Sequence, residues 1–247
     1  MDKERLDQLL VQKNLFETRN KAQAAIMAGI IFVEGKKIDK AGTKIPSDAQ
    51  IEIKGSPCPY VSRGGLKLEG ALKTFKIDPS GKICLDVGAS TGGFTDCLLQ
   101  HGAAKVFAVD VGYGIIDWEL RNDPRVVLIE RTNARNLTLE TLGLKEPIIG
   151  LCTIDVSFIS LDKILPAVKG VLAPNAIVIA LIKPQFEAGK DEVGKGGIVK
   201  DPKVHNKVIE EVKSEAEKLG FKVKGVIDSP ITGMEGNKEF LLCAATH

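Results

Sequence analysis

Two periodicities divide this chain. Up to about residue 54 the apolar positions are sparse and their spacing changes twice. Leu6, Leu9 and Leu10, followed by Gln12 and Lys13, fall on one face of a short helix. Thr18 is a helix N-cap residue type, so the segment from Arg19 to Ala28 predicts a second helix, stopped at Gly29. Ile30 to Val33, the turn Glu34-Gly35-Lys36 and then Lys37-Ile38 predict a tight hairpin, and Ile51-Glu52-Ile53 alternates as one more strand. Gly55-Ser56-Pro57-Cys58-Pro59 breaks all periodicity. Its two prolines fix φ and exclude a helix, so a short stiff linker is expected there.

Beyond the linker, apolar runs of strand length alternate with stretches of helical spacing. Strands are expected at Ile83–Val87, Val106–Asp110, Val126–Glu130, Ile148–Ile154, Ala176–Ile182, Phe221–Ile227 and Glu239–Ala244. Helices are expected over 64–75, 93–101, 114–121, 138–142, 160–171 and 203–219. Such alternation predicts an α/β fold, a doubly wound and mostly parallel seven-stranded sheet with helices on both faces. Residues 229–238 carry Pro and Gly without helical spacing, so the last two strands should join as an antiparallel addition. The expected organisation is a small α+β domain with its linker, 1–59, and an α/β domain, 60–247.

Composition narrows the class. A chain of 247 residues has room for one large domain and a small one. With 44% hydrophobic and 27% charged residues it reads as soluble and globular. A net charge of +2 gives no global basic field, so any nucleic-acid binding must come from local patches. No apolar run approaches the roughly 20 residues that span a bilayer. Met1 to Arg5 lack a signal peptide's apolar stretch. The expectation is a cytoplasmic protein with no membrane contact. The five cysteines form no CxxC pair, and Cys84, Cys97, Cys152 and Cys243 fall in apolar elements, as buried thiols would. His101, His205 and His247 are isolated, and no metal site is expected.

The segment from Asp86 to Thr95, Asp-Val-Gly-Ala-Ser-Thr-Gly-Gly-Phe-Thr, follows a strand and opens a helix. Glycine there lets the backbone turn sharply and approach a ligand. A dinucleotide fingerprint needs GxGxxG to seat a pyrophosphate, and its second glycine position is here Ser90. S-adenosylmethionine has no phosphate, and the set Asp86, Gly88, Ser90, Gly92 and Gly93 suits it better. Asp110 ends the next strand, where a carboxylate can bind ribose hydroxyls of either cofactor. Residues 189–196, Gly-Lys-Asp-Glu-Val-Gly-Lys-Gly, approach a P-loop, but Gly196 stands where Ser or Thr should hold magnesium. A mobile substrate flap with Lys190, Lys195 and Lys200 is expected instead.

Four charges stand near strand ends or a glycine turn: Lys67, Asp155, Lys183 and Glu239. In open α/β sheets ligands bind in the crevice at such edges. One strand-end charge is usually solvated and means little. Four of them beside a glycine loop point to a site.

The two helices and hairpin of the first 54 residues, with Gly29 and Val33-Glu34-Gly35-Lys36, resemble the S-four-type RNA-binding domain. That resemblance implies RNA contacts from Arg5, Arg19, Lys21, Lys36 and Lys37, since such side chains can neutralise phosphates. Ser62-Arg63-Gly64-Gly65-Leu66-Lys67-Leu68, the Asp86–Asp96 loop, Asp155-Val156-Ser157-Phe158, Ile182-Lys183-Pro184-Gln185-Phe186 and Gly236-Asn237-Lys238-Glu239 together resemble the TlyA family. These are bacterial ribosomal RNA 2′-O-methyltransferases, often called hemolysins, with an FtsJ-like catalytic half. The resemblance implies a Rossmann-like methyltransferase sheet, S-adenosylmethionine as cofactor, and ribosomal RNA, with cytidine in ribosomal subunits, as substrate. It also implies a Lys67, Asp155, Lys183, Glu239 tetrad. Lys183 would be base or hydroxyl-orienting group, Asp155 its partner, and Lys67 and Glu239 positioning groups. A free lysine is charged at neutral pH and needs burial or a nearby cation to serve as base. Asn133 and Ala134, with Arg135, follow the third strand, where this fold passes the adenine. The family linker often carries Arg and Trp, whereas this chain reads Cys58-Pro59-Tyr60-Val61. Two other readings stay open: an RNA-binding assembly factor without catalysis, and a membrane-active hemolysin.

Overall fold

In the computed structural model, which describes residues 3–27, 29–54, 58–233 and 235–247, the chain divides into two units, residues 1–63 and 64–247. The first contains β1 (Lys3–Arg5), α1 (Leu6–Gln12), α2 (Arg19–Met27), β2 (Ile31–Val33), β3 (Lys36–Lys37), β4 (Lys44–Pro46) and β5 (Ile51–Ile53). Leu6, Leu9, Leu10, Ala22 and Ile26 from the helices pack with Ile31, Val33 and Ile45. Thr18 Oγ1 accepts the Lys21 N–H at 3.3 Å, capping α2. Glu34 and Gly35 both have positive φ, as a two-residue hairpin turn of matching twist requires. Lys36 is therefore not in the turn but paired with Val33 in β3. The antiparallel pair of β1 with β4 is absent from the sequence reading. Lys3-Glu4-Arg5 has no apolar residue and Lys44-Ile45-Pro46 only one flanked by a proline, so neither shows the alternation of a strand. Ala28, and Gly55, Ser56 and Pro57 of the expected linker, lie outside the described residues.

The second unit contains α3 (Gly64–Phe75), β6 (Ile83–Val87), α4 (Gly93–Gln100), β7 (Lys105–Val109), α5 (Trp118–Arg121), β8 (Val126–Ile129), β9 (Ile149–Ile154), α6 (Leu165–Lys169), β10 (Leu172–Ile182), α7 (Pro184–Glu187), α8 (Pro202–Lys218), β11 (Lys222–Asp228) and β12 (Phe240–Ala245). The seven strands line up in the order β11-β12-β10-β9-β6-β7-β8. All neighbours are parallel except β12, which runs antiparallel to both β10 and β11. This is the mostly parallel seven-stranded sheet with an antiparallel addition that the sequence pattern predicts. Leu85, Val87, Ile154, Val178, Ile182 and Leu242 are fully enclosed in its core. Asp201 caps α8 through the Lys203 N–H at 2.8 Å, with Pro202 at the first helical position. His205, Val208, Val212 and Ala216 are its buried face, at helical spacing.

Three expected helices are corrected. Over 114–121 only α5 forms, because Gly114 has positive φ and Asp117 starts the helix by capping Glu119 N at 2.9 Å. At 138–142 there is a single turn closed by Thr138 and Thr141 and ended by Gly143 at positive φ. The stretch 160–171 splits into a 3-10 turn at Leu161–Lys163 and α6, whose first turn holds Pro166. Cys84, Cys97, Cys152 and Cys243 are buried. Burial pushes the Cys84 thiol up to about 12 and Cys243 to about 11, which leaves both unreactive at neutral pH.

Candidate active site

Register alone brings three of the four strand-end charges to one edge of the sheet. Ile182 of β10 faces Phe240 of β12, so Lys183, just after the one, lies level with Glu239, just before the other. Asp155 follows β9, the parallel neighbour of β10. The fourth, Lys67, reaches that edge from α3, in whose first turn it stands. The side chains form two ion pairs. Lys183 Nζ lies 2.5 Å from Asp155 Oδ1, and Lys67 Nζ lies 2.6 Å from Glu239 Oε2. In both, the lysine ammonium lies against a buried carboxylate oxygen. Lys183 also donates to Ser157 Oγ at 2.9 Å. Glu239 is 3% exposed, whereas Asp155 keeps 21%, so the Lys67–Glu239 pair holds the more deeply buried carboxylate. Gly233 closes over the inner pair: an added Cβ would lie 2.7 Å from Glu239 Oε1.

The glycine loop touches the same corner. Gly88 has φ +83, and a Cβ there would collide with the Asp155 carbonyl oxygen. Asp155 N donates to Val87 O at 2.9 Å, which ties the end of β6 to the segment that follows β9. Asp86 does not face the crevice as a ligand would. It is fully buried and accepts hydroxyl hydrogen bonds from Thr95 at 2.7 Å and Thr153 at 3.0 Å. Burial pushes its carboxyl up to about 6 against the opposing pull of those two hydroxyls. Asp86 thus fastens α4 and β9 beneath the loop.

Asp110 is at the mouth. Its Oδ2 accepts Ser90 N and its Oδ1 accepts Gly112 N, both at 2.7 Å. A small pocket opens there, lined by Ala89, Ser90, Ala108, Asp110, Ile115 and Leu128, with Gly112, Ile116 and Glu130 completing it. Glu130 accepts from Gly114 N at 2.7 Å, and the Arg121 guanidinium at 2.5 Å holds its carboxyl below the usual range. Apolar walls with two carboxylates at the rim fit an adenosyl group, whose ring is flat and whose ribose offers hydroxyl donors. The Ser90 N–H, which a pyrophosphate would need, is already given to Asp110. Gly92, at φ +97, leaves space for Leu120, and Gly93 begins α4. Asn133 Oδ1 is spent on Arg135 N at 3.0 Å, capping the 3-10 turn that starts at Ala134. Neither Asn133 nor Ala134 lines the pocket.

Several contributors were invisible in the sequence reading. Ile115 and Ile116 sit in a stretch expected to be helical, and Glu130 at the end of an expected strand. Ser157 and Glu187 act across 26 and 27 residues, on Lys183 and Ser160. Phe158 has positive φ, is 89% exposed, and its ring lies 4.9 Å from that of Phe186. The P-loop-like stretch does not itself open a helix; α8 starts only at Pro202. A Gly194–Ile198 bridge folds it on itself, and Asn237 pins its end through Val199 N at 3.0 Å and Gly197 O at 2.9 Å.

In the first unit Arg5, Arg19 and Lys21 are already engaged in ion pairs. Asp7, with no exposed surface, accepts Arg5 Nε at 3.0 Å, Arg5 Nη2 at 3.1 Å, Arg19 Nε at 2.8 Å and Gln23 Nε2 at 2.7 Å. Arg5 and Arg19 stay 40% and 48% exposed, so each still presents an edge to solvent. Lys21 pairs with Glu17 at 2.5 Å, and Lys36 and Lys37 are exposed in β3. Among the described residues no three His, Cys, Asp or Glu stand together as metal ligands, and no helix is long and apolar enough to cross a membrane.

Comparison with known proteins adds the following. The FtsJ-like methyltransferase family matches residues 60–246, and the S4 domain matches residues 4–51. A Bacillus subtilis protein, YqxC, named for a proposed rRNA methyltransferase activity, is 54% identical over 242 residues, covering 97% of this chain and 85% of that one. The Mycobacterium tuberculosis 16S/23S rRNA (cytidine-2′-O)-methyltransferase TlyA is 45% identical over 243 residues, 98% of this chain and 90% of that one. A solved structure from Streptococcus thermophilus, named for a proposed hemolysin, is 46% identical with a TM-score of 0.78, covering all of this chain and 89% of its own.

Proposed function

Since the chain belongs to the FtsJ-like methyltransferase family and carries an S4 domain ahead of it, we propose that it methylates the ribose 2′-hydroxyl of ribosomal RNA, at cytidine in ribosomal subunits, using S-adenosylmethionine. The observation that carries this reading is the pair of lysine–carboxylate contacts at the sheet edge, joined to the glycine loop through Gly88 and Asp155. When bound, S-adenosylmethionine supplies a methyl group already activated on a sulfonium, so the protein needs only to aim and relieve the hydroxyl. Asp110, Ser90 and the apolar wall of Ile115, Ile116 and Leu128 would hold the adenosyl part, with Gly88, Gly92 and Gly93 giving the close approach.

Lys183 has three N–H directions and no acceptor when charged. One faces Asp155 and one Ser157. The third is left to fix the ribose oxygen. Of the two roles open for Lys183, hydroxyl orientation is thus the one its partners favour. An oxygen that has gained a methyl group is strongly acidic, and the Asp155 carboxylate beside it is the near acceptor for its proton. Lys67 and Glu239 brace the corner. Phe158, exposed at the mouth, offers a face on which an unstacked base can lie. Arg5 and Arg19, held on Asp7, and Lys36 and Lys37 would contact phosphates. A ribosomal substrate also implies work in the cytoplasm.

The test is labelled methyl transfer to undermethylated ribosomal subunits, with the modified nucleotide mapped. Lys183→Ala should abolish single-turnover transfer and leave cofactor affinity nearly unchanged, since the lysine acts on the transition state. A variant at the wild-type rate removes Lys183 from the mechanism.

A further inference from the structure

Between Asp155 and Ser160 the main chain has little support. Asp155 N is bonded to Val87 O, but among the described residues the main chain from Val156 to Ile159 makes no backbone–backbone hydrogen bond. This stretch nevertheless carries Ser157, which holds Lys183, and Phe158, which holds an unfavourable positive φ and projects its ring outward. A segment so placed needs an anchor at its far end.

Glu187 is that anchor. It ends α7, four residues after Lys183, and turns its carboxylate back to the other segment. Ser160 Oγ donates to Oε2 at 2.5 Å, and Leu161 N donates to Oε1 at 2.9 Å. Leu161 opens a 3-10 turn whose first N–H groups have no partner within the turn. The carboxylate satisfies one of them from outside. With the Phe158–Phe186 ring contact and the two Lys183 contacts, the segments after β9 and β10 are laced together from Asp155 to Leu161. Burial raises the Glu187 carboxyl above its ordinary value despite these two donors, with Asp162 and Glu211 adding to the rise. The fold thus keeps this acidic group where desolvation opposes its charge.

We infer that Glu187 is a positioning residue for methyl transfer. By holding Ser160 and Leu161 it fixes the Asp155–Ser160 segment, and with it the place of Lys183 between Asp155 and Ser157. This rests on the reading of Lys183 and Asp155 as the reacting corner. Misplacement of such a corner by about 1 Å can cost on the order of a hundredfold in rate.

The variants are Glu187→Ala, Glu187→Gln, Ser160→Ala and the Glu187→Ala/Ser160→Ala double variant, in the full-length protein. Single-turnover transfer to undermethylated subunits, adenosylmethionine affinity and thermal melting are measured for each. Glu187→Ala should slow transfer by roughly ten- to a hundredfold with cofactor affinity unchanged. Glu187→Gln, which keeps an acceptor for Leu161 N, should recover part of that rate. The double variant should be no slower than Glu187→Ala alone, because both changes break one link. A wild-type rate in Glu187→Ala, or losses that multiply in the double variant, overturns the inference. If Glu187→Ala does not fold, Ser160→Ala decides: a slowed rate at an unchanged melting temperature supports the inference, and a wild-type rate ends it. Lys183→Ala separates the two levels. Its retention of activity sinks the reaction corner itself, whereas its inactivity beside normal Glu187 variants sinks only the anchor.

Discussion

Replacing Asp86 by Asn should make the protein more stable above neutrality and change nothing near pH 4. Asp86 is fully buried between Thr95 and Thr153, and its carboxyl is pushed up to about 6. An ordinary aspartate titrates near 3.9. The folded state therefore binds this proton more tightly than the unfolded chain does. The stability it contributes is complete below about pH 4 and is lost as pH rises through about 6. A shift of roughly two units corresponds to about 3 kcal/mol. An asparagine in its place would not ionise, and its amide could donate to one threonine and accept from the other. The unfolding free energy of Asp86→Asn minus wild type should then climb from near zero at about pH 4 to about 3 kcal/mol at about pH 8. For a unit of this size that is roughly 6–12 °C in melting temperature. Urea titrations followed by circular dichroism across that pH range read it directly. Parallel pH curves for the two proteins would refute the buried, proton-favouring environment. Calorimetry with adenosylmethionine on the same variant separates support of the loop from direct contact.

Gly88→Ala places a Cβ against the Asp155 carbonyl oxygen at a positive φ that costs about 1–2 kcal/mol, so both cofactor binding and turnover should fail. Gly81→Ala, at a similar φ in open space, should cost only stability, and equal activity loss in both would deny Gly88 its special place. Asp110→Ala should weaken adenosylmethionine by about 1.5–3 kcal/mol, the range for hydrogen bonds to charged groups, and unchanged affinity by calorimetry would break that assignment. Asp7→Asn should loosen Arg5 and Arg19 and flatten the salt dependence of subunit binding, by up to about 0.9 for each phosphate no longer neutralised; an unchanged slope would clear the pair of any part in RNA binding. The Arg5 guanidinium, with Gln23 and Arg19, holds the Asp7 carboxyl well below the usual range, so the stability it lends is present above about pH 3.9 and fades on acidification, which a wild-type against Asp7→Asn melt at low pH would detect.

The sheet was legible because its strands are buried on both faces and read as unbroken apolar runs. Helix α3 was legible through Leu68, Ala71 and Leu72 at helical spacing, and the two ion pairs of the sheet edge through charges abutting such runs or glycines. What stayed hidden has a common cause. Ser157, Glu187 and Glu130 owe their roles to partners far away in sequence, and no local spacing encodes a hydrogen bond across 26 residues. Asp7 gives no signal in the short first helix, whose pattern is carried by its leucines, while in the fold it is the buried acceptor of Arg5, Arg19 and Gln23. The helix expected over 114–121 failed where backbone chemistry overrode pattern: Gly114 and Asp117 form a loop that turns Ile115 and Ile116 into the pocket.

The antiparallel insertion of β12 bears on how the protein is made. β11 joins the sheet only alongside β12, and β12 is the last of these seven strands to leave the ribosome. Until it arrives, β10 is an edge of unpaired backbone groups over an almost wholly buried apolar run, and Lys67 waits for its carboxylate. A nascent chain stopped before residue 239 would thus lack the Lys67–Glu239 pair and be adhesive, the kind of edge that invites aggregation or proteolysis. The closing strand thus makes its own synthesis a condition for completing the sheet edge on which the two ion pairs stand.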